Sequence, residues 1–251
     1  MSKEMIQSDQ YRELPYHHIP RLVMSKGAHK VTCYTCWDCG LEYMCYMMNI
    51  IERIKREGYK TVLDVGCGDG ELLYLIGNED IKKYGCDVDE QAILWAKAIN
   101  PDATLICDDV GNITEKFECI TLIEVLEHIP DELVSKFIQN IFDRLGEDGR
   151  IYLQVPTTVI PLESKHYRHY TLELLKKQLD ASGVSYKIES VSYVFKKNLI
   201  YNMYRRLFLQ SKYWILRIGG IERFMWKYVN NKLKDVSERE GRHLLVELKR
   251  G

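Results

Sequence analysis

The stretch Thr61-Val-Leu-Asp-Val-Gly-Cys-Gly-Asp-Gly-Glu-Leu-Leu73 constrains this chain more than any other. A β-branched and apolar run ends in a glycine-rich turn and passes directly into an amphipathic segment. Glycines 66, 68 and 70 carry no Cβ, so a ligand can lie against bare backbone there. A strand that feeds such a turn and then a helix N-terminus also offers converging N–H groups to an anionic part of that ligand. The spacing argues against two common phosphate-binding patterns. A dinucleotide fingerprint needs a glycine three positions after Gly68, where Glu71 stands. A phosphate-binding P-loop needs Gly-Lys-Ser/Thr, which is absent.

Four more signals of the same kind follow. Lys83-Tyr-Gly-Cys-Asp-Val-Asp89 predicts a second strand ending at Asp87, then a helix over 90–99. An acidic side chain at such a strand end can accept two hydrogen bonds from a ribose diol. Ala103-Thr-Leu-Ile-Cys107 ends in Asp108-Asp109-Val110. Glu118-Cys-Ile-Thr-Leu-Ile123 ends in Glu124-Val-Leu-Glu127-His128-Ile-Pro130. Arg150-Ile-Tyr-Leu-Gln-Val155 stops at Pro156, which cannot continue a central strand. Helices are predicted near 132–145 and 171–182, and a sixth strand over 186–195. Strands alternating with helices predict a parallel sheet covered on both faces.

In order and spacing, these signals over about residues 58–195 resemble the motifs of class I S-adenosylmethionine (SAM) dependent methyltransferases. The resemblance implies an α/β, doubly wound fold with a mostly parallel seven-stranded sheet and an antiparallel last strand. The best candidate for that last strand is distant, at 243–249. The resemblance also implies SAM as cofactor. Asp64, Gly66, Cys67 and Gly68 would then carry its methionine end, Asp87 its ribose, and Val88 its adenine. Asp108 or Asp109, with Val110, falls near the adenine amino group, and Glu124 touches the cofactor.

Glu124, Glu127 and His128 sit at i, i+3 and i+4, so a helical turn would place all three on one face. Two carboxylates and an imidazole make a candidate Mg²⁺, Mn²⁺ or Zn²⁺ site. Lys165-His-Tyr-Arg-His-Tyr-Thr171 adds His166 and His169 in the loop after the fifth strand. The metal set reads as Glu124, Glu127, His128 and His166. This pattern resembles two metal-assisted groups, the ubiquinone-biosynthesis O-methyltransferases and the small-RNA 3′-end 2′-O-methyltransferases. Without a metal, His128, His166 or His169 serves as general base, having side-chain pKa values near the working range. The plainer alternative is that Glu127 and His128 only cap and orient a helix.

The chain has 251 residues, 46% hydrophobic, enough for one large domain or one domain plus an insertion. No apolar stretch approaches the roughly 20 residues that cross a bilayer. A polar start without a secretory signal, together with eight cysteines, predicts reduced thiols in the cytoplasm. Cys33, Cys36 and Cys39 are spaced as part of a zinc site, but a fourth ligand is not evident.

Four regions are expected: a cap segment and helix at 1–57, the SAM-binding core at 58–195, a helical insertion at 196–240, and the last strand at 241–251. Residues 1–40 read as irregular, with Asp38 capping a helix over 41–57. The net charge is −1, yet residues 196–251 hold 14 Lys/Arg against 5 Asp/Glu. That asymmetry suits an anionic partner, unless opposite charges balance it in the fold. Within the insertion, Tyr201, Tyr204, Leu207, Phe208, Tyr213, Trp214, Ile218, Phe224 and Trp226 interleave with basic residues. A lid, a peripheral membrane or lipid-linked substrate contact, nucleic-acid stacking, and plain packing on the sheet edge all remain open.

The leading expectation is methyl transfer from SAM to an oxygen, less readily a nitrogen, of a small molecule or sugar, a cell-surface glycan or lipid-linked precursor included. The alternatives are RNA 2′-O-methylation through a Glu/Glu/His metal site and a non-catalytic subunit that binds SAM or its demethylated product. Nucleic acid is disfavoured because positive charge is confined to the last quarter and no RNA-binding module is recognisable.

Overall fold

The computed structural model describes residues 37–77, 80–209 and 218–251, with Lys3 and two short upstream strands; side chains are described from residue 40 on, Leu209 excepted. Those strands, β1 (Arg21–Met24) and β2 (Val31–Tyr34), pair antiparallel in a small hairpin, Arg21 opposite Tyr34. The expectation of an irregular 1–40 is therefore corrected: the β-branched and apolar runs there pair with each other. The cysteine cluster at 33, 36 and 39 lies outside the described side chains. Helix α1 spans Trp37–Glu57, so Asp38 falls inside its first turn and does not cap it. Gly58 ends it at φ +70°, its N–H donating to the Ile54 carbonyl at 3.2 Å.

The main sheet uses β3 (Thr61–Val65), β4 (Lys82–Asp87), β5 (Thr104–Cys107), β6 (Phe117–Ile123), β7 (Leu145–Pro156), β8 (Tyr186–Val194) and β9 (His243–Arg250). Their order is β5-β4-β3-β6-β7-β9-β8, with β9 antiparallel to both neighbours and the other pairings parallel. The reversal from β3 to β6 is a topological switch point, where ligands of open α/β sheets bind. Helices α2 (Glu71–Ile76), α3 (Glu90–Ile99), α4 (Asp131–Arg144) and α5 (Leu172–Ala181) connect the strands. Two of them start on side-chain caps: Asp89 accepts from Ala92 N, and Thr171 from Leu174 N.

Alternate strand residues feed two cores. Val62, Cys119, Tyr152 and Leu245 pack with α1, α2 and α3, while Leu63, Ile120, Leu153 and Val246 pack with α4 and α5. The connection from β8 to β9 holds α6 (Leu199–Tyr204), a π-helical turn at Arg205–Leu209, and α7 (Gly219–Lys232). Tyr201, Tyr204, Met225 and Val229 join the α1 side of the core. Among the described residues no helix is long and apolar enough to cross a membrane.

Candidate active site

The loop after β3 is tied down from beneath. The N–H groups of Gly66 and Cys67 both donate to the Cys86 carbonyl, at 2.8 and 3.1 Å. Gly68 N donates to Asp87 Oδ2 at 3.0 Å, and Asp89 N to Asp87 Oδ1 at 2.9 Å. Gly66 holds φ +70°, and a Cβ on it would stand 2.5 Å from Val125 Cγ2. Glycine at 66 therefore lets the β3 loop lie against the β6 loop. Burial raises the Asp87 carboxyl above its usual range, and the two backbone bonds oppose the rise. Beside it Val88 is 75% exposed, an apolar side chain that gains by covering a flat ring.

Asp64 is buried under the same loop, accepting from Thr121 Oγ1 at 2.6 Å, and burial pushes its carboxyl up to about 7. Asp109 accepts from Gly111 N at 2.6 Å, capping a short turn at Val110–Asn112. Asp108 Oδ1 accepts from Asp109 N and Asn112 Nδ2, both at 2.7 Å. Both carboxylates shape this turn, and Val110 is buried beneath it. All these loops leave the carboxyl ends of parallel strands, as the sequence reading requires.

The next loop along that edge carries the candidate acceptor chemistry. Glu124 adopts φ +56°, a left-handed conformation that non-glycine residues enter at a cost. The chain then forms a 3₁₀ turn at Leu126–His128, not an α-helical turn, so the i, i+3, i+4 face expected here does not form. Tertiary packing instead gathers Glu127, His128 and His166, whose ligand atoms all lie within 4.8 Å of one another. Glu124 is outside this group. Its Oε1 accepts from Gln154 Nε2 at 2.6 Å and from His243 Nδ1 at 3.0 Å.

Hydrogen bonds fix which nitrogens face the cluster. His169 Nδ1 is 2.9 Å from the Ile160 carbonyl, so it carries the proton there and leaves Nε2 as an acceptor. His166 Nδ1, 2.7 Å from that Nε2, is then the donor, which leaves His166 Nε2 with a free lone pair. His128 Nδ1 faces the Lys165 carbonyl at 3.3 Å, which by the same reasoning frees its Nε2. Burial lowers His128 to about 4 and His166 to about 3, so both rings are neutral near pH 7. His169 has no nitrogen left for a substrate; it orients His166.

Glu127 is fully buried, and neither carboxylate oxygen has a hydrogen-bond partner. Burial, and then the adjacent Glu124 charge, raise its carboxyl well above the usual range. This carboxyl holds its proton as it stands; a divalent cation seated between it and the two imidazole lone pairs would displace that proton and complete a two-nitrogen, one-carboxylate donor set. Arg168 holds the turn from outside, donating to the carbonyls of Leu126 and Ile129 at 3.0 and 2.7 Å.

A family model described as a methyltransferase domain matches residues 41–187, well over half of the chain. The chain belongs to the class I SAM-dependent methyltransferases. Over 151 residues it is 30% identical to sphingolipid C9-methyltransferase 1 of Gibberella zeae, covering 54% of this chain and 28% of that protein. It is 35% identical over 105 residues to a ubiquinone biosynthesis O-methyltransferase of Actinobacillus pleuropneumoniae, covering 37% and 44%. These matches span less than half the length of either relative. Magnesium protoporphyrin IX methyltransferase of Synechocystis PCC 6803, solved with bound SAM, superposes with a TM-score of 0.61 over 100% of this chain and 98% of that one. At 14% identity, that likeness speaks for the fold.

The methyltransferase therefore uses SAM, and the loop fits it: bare glycine backbone beside β3, and Asp87 at the end of β4. Behind Glu124 lies a charged network that sequence reading missed. His243, at the start of β9, donates from Nε2 to Glu42 Oε1 at 2.9 Å, and Arg242 Nε donates to the same oxygen at 2.5 Å. Burial opposes a charge on His243, but Glu124 and Glu42 outweigh it and lift the imidazole to about 9. Burial would likewise raise Glu124, yet the hydrogen bond and charge of His243 hold it at about 2. The partners of His243 are 119 and 201 residues away in sequence, so no local motif could have revealed them.

Proposed function

We propose that this methyltransferase acts on a hydroxyl oxygen of a small molecule or sugar, with Glu127, His128 and His166 holding a divalent cation beside the acceptor. The observation that carries this reading is the Glu127 carboxylate, buried without a partner between two free imidazole lone pairs. Bound SAM supplies an activated methyl group on sulfur, and a cation would lower the pKa of the acceptor hydroxyl. The chain does the rest by placement. The β3 loop and Asp87 fix the nucleoside, and Gln154 and His243 hold the Glu124 carboxylate on the next loop of the same sheet edge. Rigid alignment of nucleophile, methyl and sulfur can supply several kcal/mol of the barrier reduction, of the order of 7–11 in well-oriented model reactions. Burial holds His166 at about 3 and His128 at about 4, too weakly basic to take the acceptor proton near pH 7, so this reading rests on the cation and not on a histidine base.

Relatives whose names specify O-methylation and C-methylation both match, so the oxygen acceptor rests on the donor cluster and not on the comparisons. The five cysteines described, Cys45, Cys67, Cys86, Cys107 and Cys119, are unpaired, which supports a reducing compartment such as the cytoplasm.

The test is a methyl-acceptor screen with alcohols, phenols, sugars, amines and a 3′-terminal RNA, run with and without EDTA and with added Mg²⁺, Mn²⁺ or Zn²⁺. Oxygen methylation that EDTA abolishes and one cation restores is expected, with Glu127→Gln losing the metal response while keeping SAM affinity. Full turnover after EDTA removes the cation, and exclusive amine methylation removes the oxygen acceptor.

A further inference from the structure

The segment between β8 and β9 presents an apolar stripe to solvent. Leu199, Ile200, Met203 and Leu207 are 74%, 45%, 52% and 50% exposed, at spacings that place them along one side of α6 and the turn after it. The opposite side is anchored: Tyr201 and Tyr204 are buried against α1 and α7. Phe224, 60% exposed on α7, and Ile218 just before that helix add to the exposed apolar surface. Exposed cations accompany them, namely Lys197, Arg206, Arg223 and Lys227. Residues 196–232 contain nine Lys/Arg and one acidic residue, Glu222.

We propose that this face docks the enzyme onto an anionic lipid bilayer. Aliphatic side chains flanked by Lys and Arg are the composition of a helix that lies in the membrane interface. The cations meet negatively charged headgroups, while Leu199, Ile200 and Met203 enter the acyl boundary. A single-stranded nucleic acid is the poorer fit. It uses flat rings for stacking, and the aromatics of α6 are turned into the core.

Placement adds a reason. Val194 at the end of β8 and Pro156 at the end of β7 both pair with His243. Helix α6, which starts where the Asn198 side chain caps Tyr201 N at 3.0 Å, thus leaves the sheet at the edge that carries His166. A bilayer on this face lies at the edge through which an acceptor enters. The proposal goes beyond the acceptor chemistry and is read by binding without turnover.

The experiment is vesicle co-sedimentation of the full chain, on phosphatidylcholine alone and on a phosphatidylcholine–phosphatidylserine mixture. Binding to the mixture is expected, at least tenfold weaker on the neutral vesicles and weakened again by high salt. Leu199→Glu/Met203→Glu should lose tenfold or more on the mixture while keeping SAM affinity and melting temperature. Arg206→Ala/Lys227→Ala should lose about twentyfold on the mixture only, from about fivefold per cation. A parent chain that stays in the supernatant with the mixture overturns the proposal, as does a Leu199/Met203 variant that sediments like the parent. Equal affinity of parent and apolar variant for single-stranded RNA, without vesicle binding, assigns the face to nucleic acid and overturns it too.

Discussion

Replacing Gly66 by alanine tests the interlock between the cofactor loop and the acceptor loop. Two separate costs follow from the geometry. At φ +70° a non-glycine residue pays about 1 kcal/mol for its left-handed backbone. The new methyl would also stand 2.5 Å from Val125 Cγ2 and 3.2 Å from Cγ1, well inside the roughly 3.5–4 Å of ordinary carbon contact. Overpacking of that kind costs about 1–3 kcal/mol. The sum, about 2–4 kcal/mol, corresponds to a melting temperature lower by roughly 5–15 °C in a chain of this size. Because Val125 follows Glu124 directly, the strain also reaches the carboxylate that Gln154 and His243 hold. SAM affinity should fall about tenfold. Val125→Ala removes both Cγ atoms, so Gly66→Ala/Val125→Ala should recover the overpacking part and keep the backbone part. Thermal melts and SAM calorimetry on the two single variants and the double variant form a complete cycle. Additive effects, or a Gly66→Ala chain that melts and binds like the parent, would refute the interlock.

Two further outcomes are expected. Asp87→Ala should weaken SAM binding about a hundredfold by calorimetry, since it removes the carboxylate assigned to the ribose and frees the Gly68 and Asp89 N–H groups; affinity within a few-fold of the parent contradicts the assignment. Asp64, held at about 7 in the folded chain against 3.8 ordinarily, keeps its proton where the unfolded chain has lost it, so its contribution to stability is lost as pH rises from about 4 to about 7. That loss reaches about 4 kcal/mol, and Asp64→Asn should flatten this part of the ligand-free stability profile; a variant with the parent's slope rejects the buried-carboxyl account.

The fold was legible because its signals are local. Five apolar runs, four ending in glycine or an acidic residue and the fifth at Pro156, and the helical stripes between them declare strands and helices without long-range information. The isolated run at 243–249 could be assigned to the sheet only through the resemblance to class I SAM-dependent methyltransferases, which implies an antiparallel last strand. Local cues failed where geometry departs from regular elements. Asp38 looked like a helix cap, but α1 begins at Trp37. The spacing of Glu124, Glu127 and His128 suggested one helical face, whereas the chain takes a left-handed residue and a 3₁₀ turn.

Residue types and their order along the chain determined the cofactor loop, the acidic strand ends and the presence of histidines on the acceptor edge. Hydrogen-bonding period and glycine chemistry act over a few residues, so they are written in neighbours. Only tertiary structure decided that His169 turns His166 so that Nε2 is free, that Glu127 is buried with nothing to bind, and that His243 reaches across from the last strand to Glu124. Those contacts join residues far apart in sequence, and burial, not spacing, sets their charge.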